Sequence, residues 1–217
     1  SGTGVSNGGA IFNSTSTAVF YSGPITLGAN ASIRGGAGAL TLSGTLNGAF
    51  NLDIGTSNAN FTQSGVVGGT TPLASYSVAA GTGNVTLSSN LNVAGSLTLN
   101  GNEVNIQGHM TSTAISGNGI TVNARKILQG LPAHGSFTVK TSGANISYVV
   151  TDSPQTSDLD QAINIRPGGI IDADGGDITL SSAFASNGVA GASADRAISI
   201  SSNTTLQTRA GGKITLT

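Results

Sequence analysis

The sequence contains no cysteine and no tryptophan, and charged residues make up only 8% of its 217 residues. The absence of cysteine excludes disulfides, thiolate metal sites and cysteine nucleophiles. The eight Lys and Arg residues are scattered and the formal net charge is −1, so we predict no nucleic-acid binding. No apolar run approaches the roughly 18 residues of a membrane helix, so we predict no membrane insertion.

The residues that replace charge and aromatics are glycine, of which there are 33, together with Ser, Thr and Asn. This composition disfavours coiled coils and helical bundles. A pentapeptide with the pattern Gly, any residue, apolar, Thr, apolar recurs along the chain. Its copies begin at Gly23, Gly38, Gly83, Gly95, Gly135, Gly176 and Gly212.

The apolar, polar, apolar alternation predicts short strands whose apolar side chains share one face. We expect the preceding glycine to form a sharp corner by adopting positive φ. Such units bury their apolar edge by stacking, which predicts a parallel β-helix (β-solenoid) over residues 1–217, taken as right-handed, with about ten coils. At roughly 4.8 Å per coil the rod would be on the order of 50 Å long. A β-sandwich or jelly roll is the alternative, but it needs longer strands joined by hairpins.

Several segments carry a family resemblance. Residues 65–75 (GVVGGTTPLAS), 83–87 (GNVTL) and 97–101 (LTLNG) resemble repeats of filamentous-haemagglutinin-like bacterial exoproteins and of autotransporter passengers. Residues 175–180 (GGDITL) and 211–216 (GGKITL) are similar to another repeat of these adhesins. The resemblance implies a secreted, surface-exposed or released β-helical fibre used for adhesion, and it brings no catalytic residue. The family's amino-terminal secretion domain is not recognisable, which indicates an interior segment or a divergent subunit.

Glycine disappears from the segment between Tyr148 and Pro167, where Asp152, Asp158 and Asp160 gather. We predict a loop insertion over residues 148–167 that projects from the rod. Because binding residues concentrate on loops held by a rigid scaffold, these three aspartates are a candidate contact site.

A second acidic group consists of Asp172, Asp174 and Asp177, which surround two glycines. Calcium prefers several oxygen ligands from a tight loop, so the group is a candidate calcium site, and no other cofactor is predicted. The spacing matches neither an EF-hand nor the glycine-rich calcium repeat. The simpler interpretation, which we favour, is that each aspartate is a solvated turn residue.

The main alternative function is a polysaccharide-acting β-helix enzyme, either a glycosidase or a lyase. His109 with Arg125 and Lys126 loosely resemble parts of the pectin-cleaving family, but paired carboxylates of the kind that glycoside hydrolysis needs are missing from the expected places. We therefore predict no catalytic residue. A further hypothesis is that the pentapeptide threonines line one flat face that contacts ice, water or sugar hydroxyls, although high β-propensity explains threonine equally well.

The sequence stops inside a strand motif at Thr217, and it also begins with apolar segments. A solenoid without caps either belongs to a longer rod, which we slightly favour, or stacks head to tail as a fibre subunit. Taken together, these features predict a non-catalytic structural and adhesive module of an extracellular bacterial surface exoprotein or fibre. The expected partners are neighbouring coils or stacked subunits, and host-surface or matrix carbohydrate.

Overall fold

The computed structural model describes residues 2, 4, 8–130, 135–153, 161–184, 196–209 and 211–217. This part of the chain is all-β, with short strands and no helix, which confirms the predicted class. Accordingly, no helix among these residues has the length and apolarity needed to span a bilayer.

The strands are two to nine residues long. In chain order they are β1 (Ile11–Phe12), β2 (Val19–Tyr21), β3 (Ile25–Thr26), β4 (Ala31–Gly35), β5 (Leu40–Leu42), β6 (Leu46–Asn47), β7 (Asn51–Thr56), β8 (Phe61–Gln63), β9 (Ser75–Ala79), β10 (Val85–Leu87), β11 (Leu91–Val93), β12 (Leu97–Asn100), β13 (Glu103–Ile106), β14 (Met110–Ser112), β15 (Asn118–Ala124), β16 (Lys126–Gln129), β17 (Phe137–Lys140), β18 (Asn145–Ser153), β19 (Gln161–Ile165), β20 (Gly169–Asp172), β21 (Ile178–Phe184), β22 (Arg196–Ile200), β23 (Thr205–Gln207) and β24 (Ile214–Leu216).

These strands form three parallel sheets. Sheet A has nine described strands in the order β1-β4-β7-β9-β12-β15-β18-β21-β24, and sheet B has eight in the order β2-β5-β8-β10-β13-β16-β19-β22. Sheet C contains β3-β6 and β11-β14-β17-β20-β23, which single bridges through Val67 join to each other. Every strand pairing among the described residues is parallel, so the hairpins of a sandwich are not found there.

The chain visits the three sheets in a fixed rotation. One pass contributes a strand to sheet A, then to sheet B, then to sheet C, as β12, β13 and β14 do, and the next pass pairs with it strand by strand. In the third pass Val67 takes the place of a sheet C strand. This parallel architecture is compatible with a β-helix.

The alternating pattern determines which side chains enter the core. In β10, Val85 and Leu87 are buried whereas Thr86 between them is half-exposed, as predicted. The pattern weakens where stacking stops. Ile214 and Leu216 of β24 are 45% and 51% exposed, because β21 is the one described strand that pairs with β24.

The glycines that precede the strands do not act as predicted. The pentapeptide glycines all lie among the described residues, and none of them has positive φ. Instead, a Cβ at Gly38 would collide with the carbonyl oxygen of Thr17, and one at Gly83 with that of Ala59. Glycine is needed there because the corner backbone lies directly against the preceding pass.

The loop insertion expected at residues 148–167 is wrong at both ends. Residues up to Ser153 belong to β18, and Gln161–Ile165 form β19. Tyr148 and Val150 point inward and are buried, because the apolar alternation of a strand continues through them. Residues 154–160 lie outside the described part of the chain.

Candidate functional site

The acidic segment at residues 172–177 spans the corner between β20 and β21. Asp172 is the last residue of β20, and Asp177 directly precedes β21. Asp174 and Gly175 both have positive φ, at 48° and 115°, which turns the chain between the two strands. The carboxylates of Asp172 and Asp174 both contact Arg209, whereas that of Asp177 accepts a backbone N–H from another segment.

Asp172 is a buried carboxylate that binds the following pass. Its Oδ2 accepts hydrogen bonds from Nε2 of Gln207 at 2.8 Å and from Nη2 of Arg209 at 3.1 Å. Its Oδ1 accepts the backbone N–H of Asp174 at 2.9 Å. Charge-assisted hydrogen bonds of this kind satisfy a carboxylate without a metal.

The environment of Asp172 favours the ionised form. Burial by itself would raise the pKa, but the hydrogen bonds from Gln207 and from the backbone of Asp174, together with the charges of Arg209 and Lys140, outweigh it and hold the pKa below the ordinary 3.8. Lys140 is the direct neighbour of Asp172 across sheet C. The carboxylate is therefore an electrostatic link between β17, β20 and the segment after β23.

Asp174 contacts the same arginine as Asp172, and Asp177 binds a backbone N–H. Asp174 lies 3.6 Å from Nε of Arg209, a solvent-exposed contact. Oδ1 of Asp177 accepts the backbone N–H of Lys213 at 2.8 Å. Within the described residues no group of three or more His, Asp or Glu side chains could hold a metal ion, so the three carboxylates do not form the candidate calcium site.

Asp177 belongs to a recurring arrangement that the sequence analysis missed. Its backbone N–H donates to Oδ1 of Asn145 at 2.9 Å, so Asn145, Asp177 and Lys213 form a column across three passes. Other Asn side chains at strand entries accept the N–H of the residue one pass later in the same way. These pairs are Asn30 with Asn51, Asn60 with Asn84, Asn84 with Glu103 and Asn90 with His109. The sequence signal is an Asn or Asp directly before the first apolar residue of a strand.

The aspartates proposed as a contact site are mostly beyond the described structure. Asp158 and Asp160 lie outside the described residues, and Asp152 lies near the end of β18. In the sequence, Asp158 and Asp160 lie between β18 of sheet A and β19 of sheet B, and the proposed contact site stays a prediction.

The basic residues considered for catalysis are bound to neighbouring passes. Nδ1 of His109 accepts the backbone N–H of Thr138 at 3.0 Å. Arg125 lies at the corner between β15 and β16 and donates to Oδ1 of Asn102 at 3.4 Å. His109 precedes β14 on sheet C, so the two residues occupy different corners of the fold.

The pentapeptide threonines do not share one face. Thr98, Thr179 and Thr215 lie on sheet A, whereas the other four lie on sheet B or sheet C. On sheet A they belong to a continuous outward row of hydroxyls, which we call the hydroxyl row. It consists of Ser77, Thr98, Thr121, Ser147, Thr179 and Thr215, each the direct neighbour of the next.

Comparison of the chain with protein-family models, with curated proteins and with solved structures finds no match. The resemblance to haemagglutinin-like repeats therefore stays a prediction from the sequence.

Proposed function

We propose that the chain is a parallel β-helix that serves as a non-catalytic structural and adhesive module of a secreted bacterial surface exoprotein or extracellular fibre. The observation that carries this proposal is the role of the polar side chains between passes. Asp172 binds Gln207 and Arg209 of the next pass, and the Asn and Asp residues at strand entries bind the next backbone. These carboxylate and amide groups, which could otherwise serve a reactive site, hold one pass to another.

The β-helix is supported by the rotation of the chain through three parallel sheets. Inward rows run through successive passes, such as the row from Leu40 through Phe61 and Val85 to Val104 on sheet B. Every member of this row is buried. Stacking of this kind makes each pass the template for the next, which suits an extended structural element.

The adhesive role is assigned to the hydroxyl row of sheet A. Thr98, Thr121 and Ser147 are half-exposed at its centre, where neighbouring strands are about 4.8 Å apart. Each hydroxyl can donate one hydrogen bond and accept others, as a sugar hydroxyl does. The row is uncharged, so its partner in this proposal is a neutral host-surface or matrix carbohydrate.

The test is binding of the full chain to a panel of neutral and acidic polysaccharides. We expect retention on a neutral polysaccharide, and we expect Thr121→Arg at the centre of the hydroxyl row to weaken it at least about tenfold. The matched control is Thr62→Arg, because Thr62 has the same half-exposed position on sheet B between Thr41 and Thr86.

Two results would contradict the proposal. If both arginine variants lost binding equally, the loss would not be specific to the hydroxyl row, and the row would not be the contact surface. If the chain released new sugar ends from any polysaccharide, it would be the polysaccharide-acting enzyme of the alternative prediction and not a non-catalytic module.

A further inference from the structure

Asparagine followed by glycine is the dipeptide in which an asparagine side chain reacts most readily with its own backbone. The described residues contain three such pairs, which begin at Asn47, Asn100 and Asn118. Two further pairs begin at Asn7 and Asn187, outside the described residues. Because glycine has no Cβ, the nitrogen that follows each asparagine can approach the amide carbon Cγ with little steric hindrance. The three described pairs share this local chemistry, so the fold decides how they differ.

The amide of Asn47 is restrained by the next pass. Its Oδ1 accepts the backbone N–H groups of Thr70 and Thr71 at 2.9 and 3.2 Å. The nitrogen of Gly48, which would attack Cγ, donates to the carbonyl oxygen of Thr71 at 3.2 Å. Both reacting groups are therefore held by hydrogen bonds that must break before Cγ and the nitrogen can meet.

Asn100 is restrained in the same way on sheet A. Its Oδ1 accepts a hydrogen bond from Nδ2 of Asn123, its direct neighbour one pass later, at 2.8 Å. The nitrogen of Gly101 donates to the carbonyl oxygen of Asn123 at 3.2 Å. One residue of the next pass thus holds both the amide and the nitrogen of this pair.

Asn118 differs because the strand that it begins, β15, contains one extra residue. Asn118 lies directly beside Asn145 of β18, but the register shifts immediately afterwards, so Gly119 has no direct neighbour in β18 and forms a bulge. At other strand entries the asparagine side chain accepts the N–H of the entry residue one pass later. Here the N–H of Asn145 donates instead to the carbonyl oxygen of Gly117, at 2.7 Å.

The bulge therefore leaves the amide of Asn118 without the bond that restrains its counterparts. Asn118 is exposed, and its side chain makes no hydrogen bond with the described residues. Its strand lies between β12 and β18 in sheet A, so this exposure does not depend on either end of the sheet.

We propose that Asn118 is a site of spontaneous deamidation, which gives this corner a negative charge. The nitrogen of Gly119 loses its proton to solvent base and attacks Cγ of Asn118. A bond forms between that nitrogen and Cγ, the bond from Cγ to the amide nitrogen breaks, and ammonia leaves with a proton taken from water. Water then opens the cyclic imide at either carbonyl carbon, which leaves aspartate or isoaspartate.

The experiment follows the three described pairs within one molecule. The full chain is incubated at mildly alkaline pH, and peptide mapping by mass spectrometry reports the conversion of each amide to a carboxylate. Because hydrogen bonds restrain Asn47 and Asn100, we expect Asn118 to convert at least about tenfold faster than either. In urea, where the chain is unfolded, we expect the three rates to become similar.

Two variants test the cause of the difference. Asn118→Gln should abolish the conversion at this position, because attack on the longer side chain must form a larger and less favoured ring. Asn123→Ala removes the donor to Oδ1 of Asn100, so it should speed the conversion of Asn100 and leave that of Asn118 unchanged. A circular dichroism spectrum like that of the parent shows that each variant is folded.

The inference is overturned if Asn118 converts no faster than Asn47 and Asn100 in the folded chain. It is also overturned if the same order of rates persists in urea, because the neighbouring residues in the sequence, and not the fold, would then set the rates.

Discussion

Two buried tyrosines should respond in opposite directions to the same substitution. Tyr148 and Tyr76 are both fully buried in the core of sheet A. The hydroxyl of Tyr148 donates to Oε1 of Gln129 at 2.7 Å, whereas the hydroxyl of Tyr76 has no hydrogen-bond partner among the described residues. Burial raises the pKa of both phenols far above the usual value, so neither is charged in the assay.

Tyr148→Phe leaves Oε1 of Gln129 buried without a donor, which should lower the free energy of unfolding by about 1–3 kcal/mol. Tyr76→Phe removes a buried hydroxyl that has no partner, so it should leave the free energy unchanged or raise it by about 1 kcal/mol or more. For a chain of this size each kcal/mol moves Tm by about 2–4 °C. Thermal melts followed by circular dichroism would resolve the difference in sign.

The control is the double variant Tyr148→Phe with Gln129→Leu. It should recover much of the loss, because replacing both partners by apolar groups leaves no unsatisfied atom in the pair. Gln129 is fully buried, and its Nε2 makes only a long bond of 3.4 Å to the carbonyl of Ile106. Equal destabilisation by Tyr76→Phe and Tyr148→Phe would refute the reasoning, since packing alone would then explain both.

Three further predictions test the stacking, the ionic link and the inward face. Gly44→Ala should lower the free energy of unfolding by about 1–3 kcal/mol, because the new Cβ would meet the backbone of the preceding pass. Gly28 has open space around it, so Gly28→Ala should be tolerated, and paired denaturant titrations would show the difference. The ionised Asp172 contributes fully to stability only above the ordinary pKa of 3.8, so stability should fall as the pH drops through the lowered pKa of its carboxyl in the folded chain. Asp172→Asn should flatten this part of the pH profile of Tm. Ile178→Asp should lower the free energy of unfolding by several kcal/mol because it buries a charge, while Thr179→Lys should melt close to the parent. Equal destabilisation by both would mean that both residues face packed surfaces.

The strands and their inward faces could be predicted because the alternation is local. Val85, Thr86 and Leu87 carry the pattern in three consecutive residues, and burial follows it directly. The sheet to which each pentapeptide belongs could not be predicted, because passes differ in length. The copy at Gly83 lies on sheet B, whereas the copy at Gly95 lies on sheet A.

The candidate site was harder to predict because its partners come from the next pass. Asp172 meets Gln207 and Arg209, which lie 35 and 37 residues later in the chain. The sequence near Asp172 gives no sign of those partners. From the sequence alone, a cluster of three aspartates therefore indicates a candidate metal site. The role of the corner glycines was misjudged for the same reason, since the carbonyl that excludes a Cβ at Gly83 belongs to Ala59 in the previous pass.

The position of a polar residue within a pass therefore explains its chemistry better than its local neighbours do. Asp177 occupies the same place before a strand as Asn84, and its oxygen accepts the N–H of Lys213 just as Asn84 accepts that of Glu103. Because most inward positions are apolar and corner positions bind the adjacent pass, outward strand positions are the surfaces left for partners. Contacts between adjacent passes also make stability depend on nearest neighbours. Substitutions on the hydroxyl row should accordingly alter binding with little effect on folding, while substitutions at a corner should loosen the two passes that meet there.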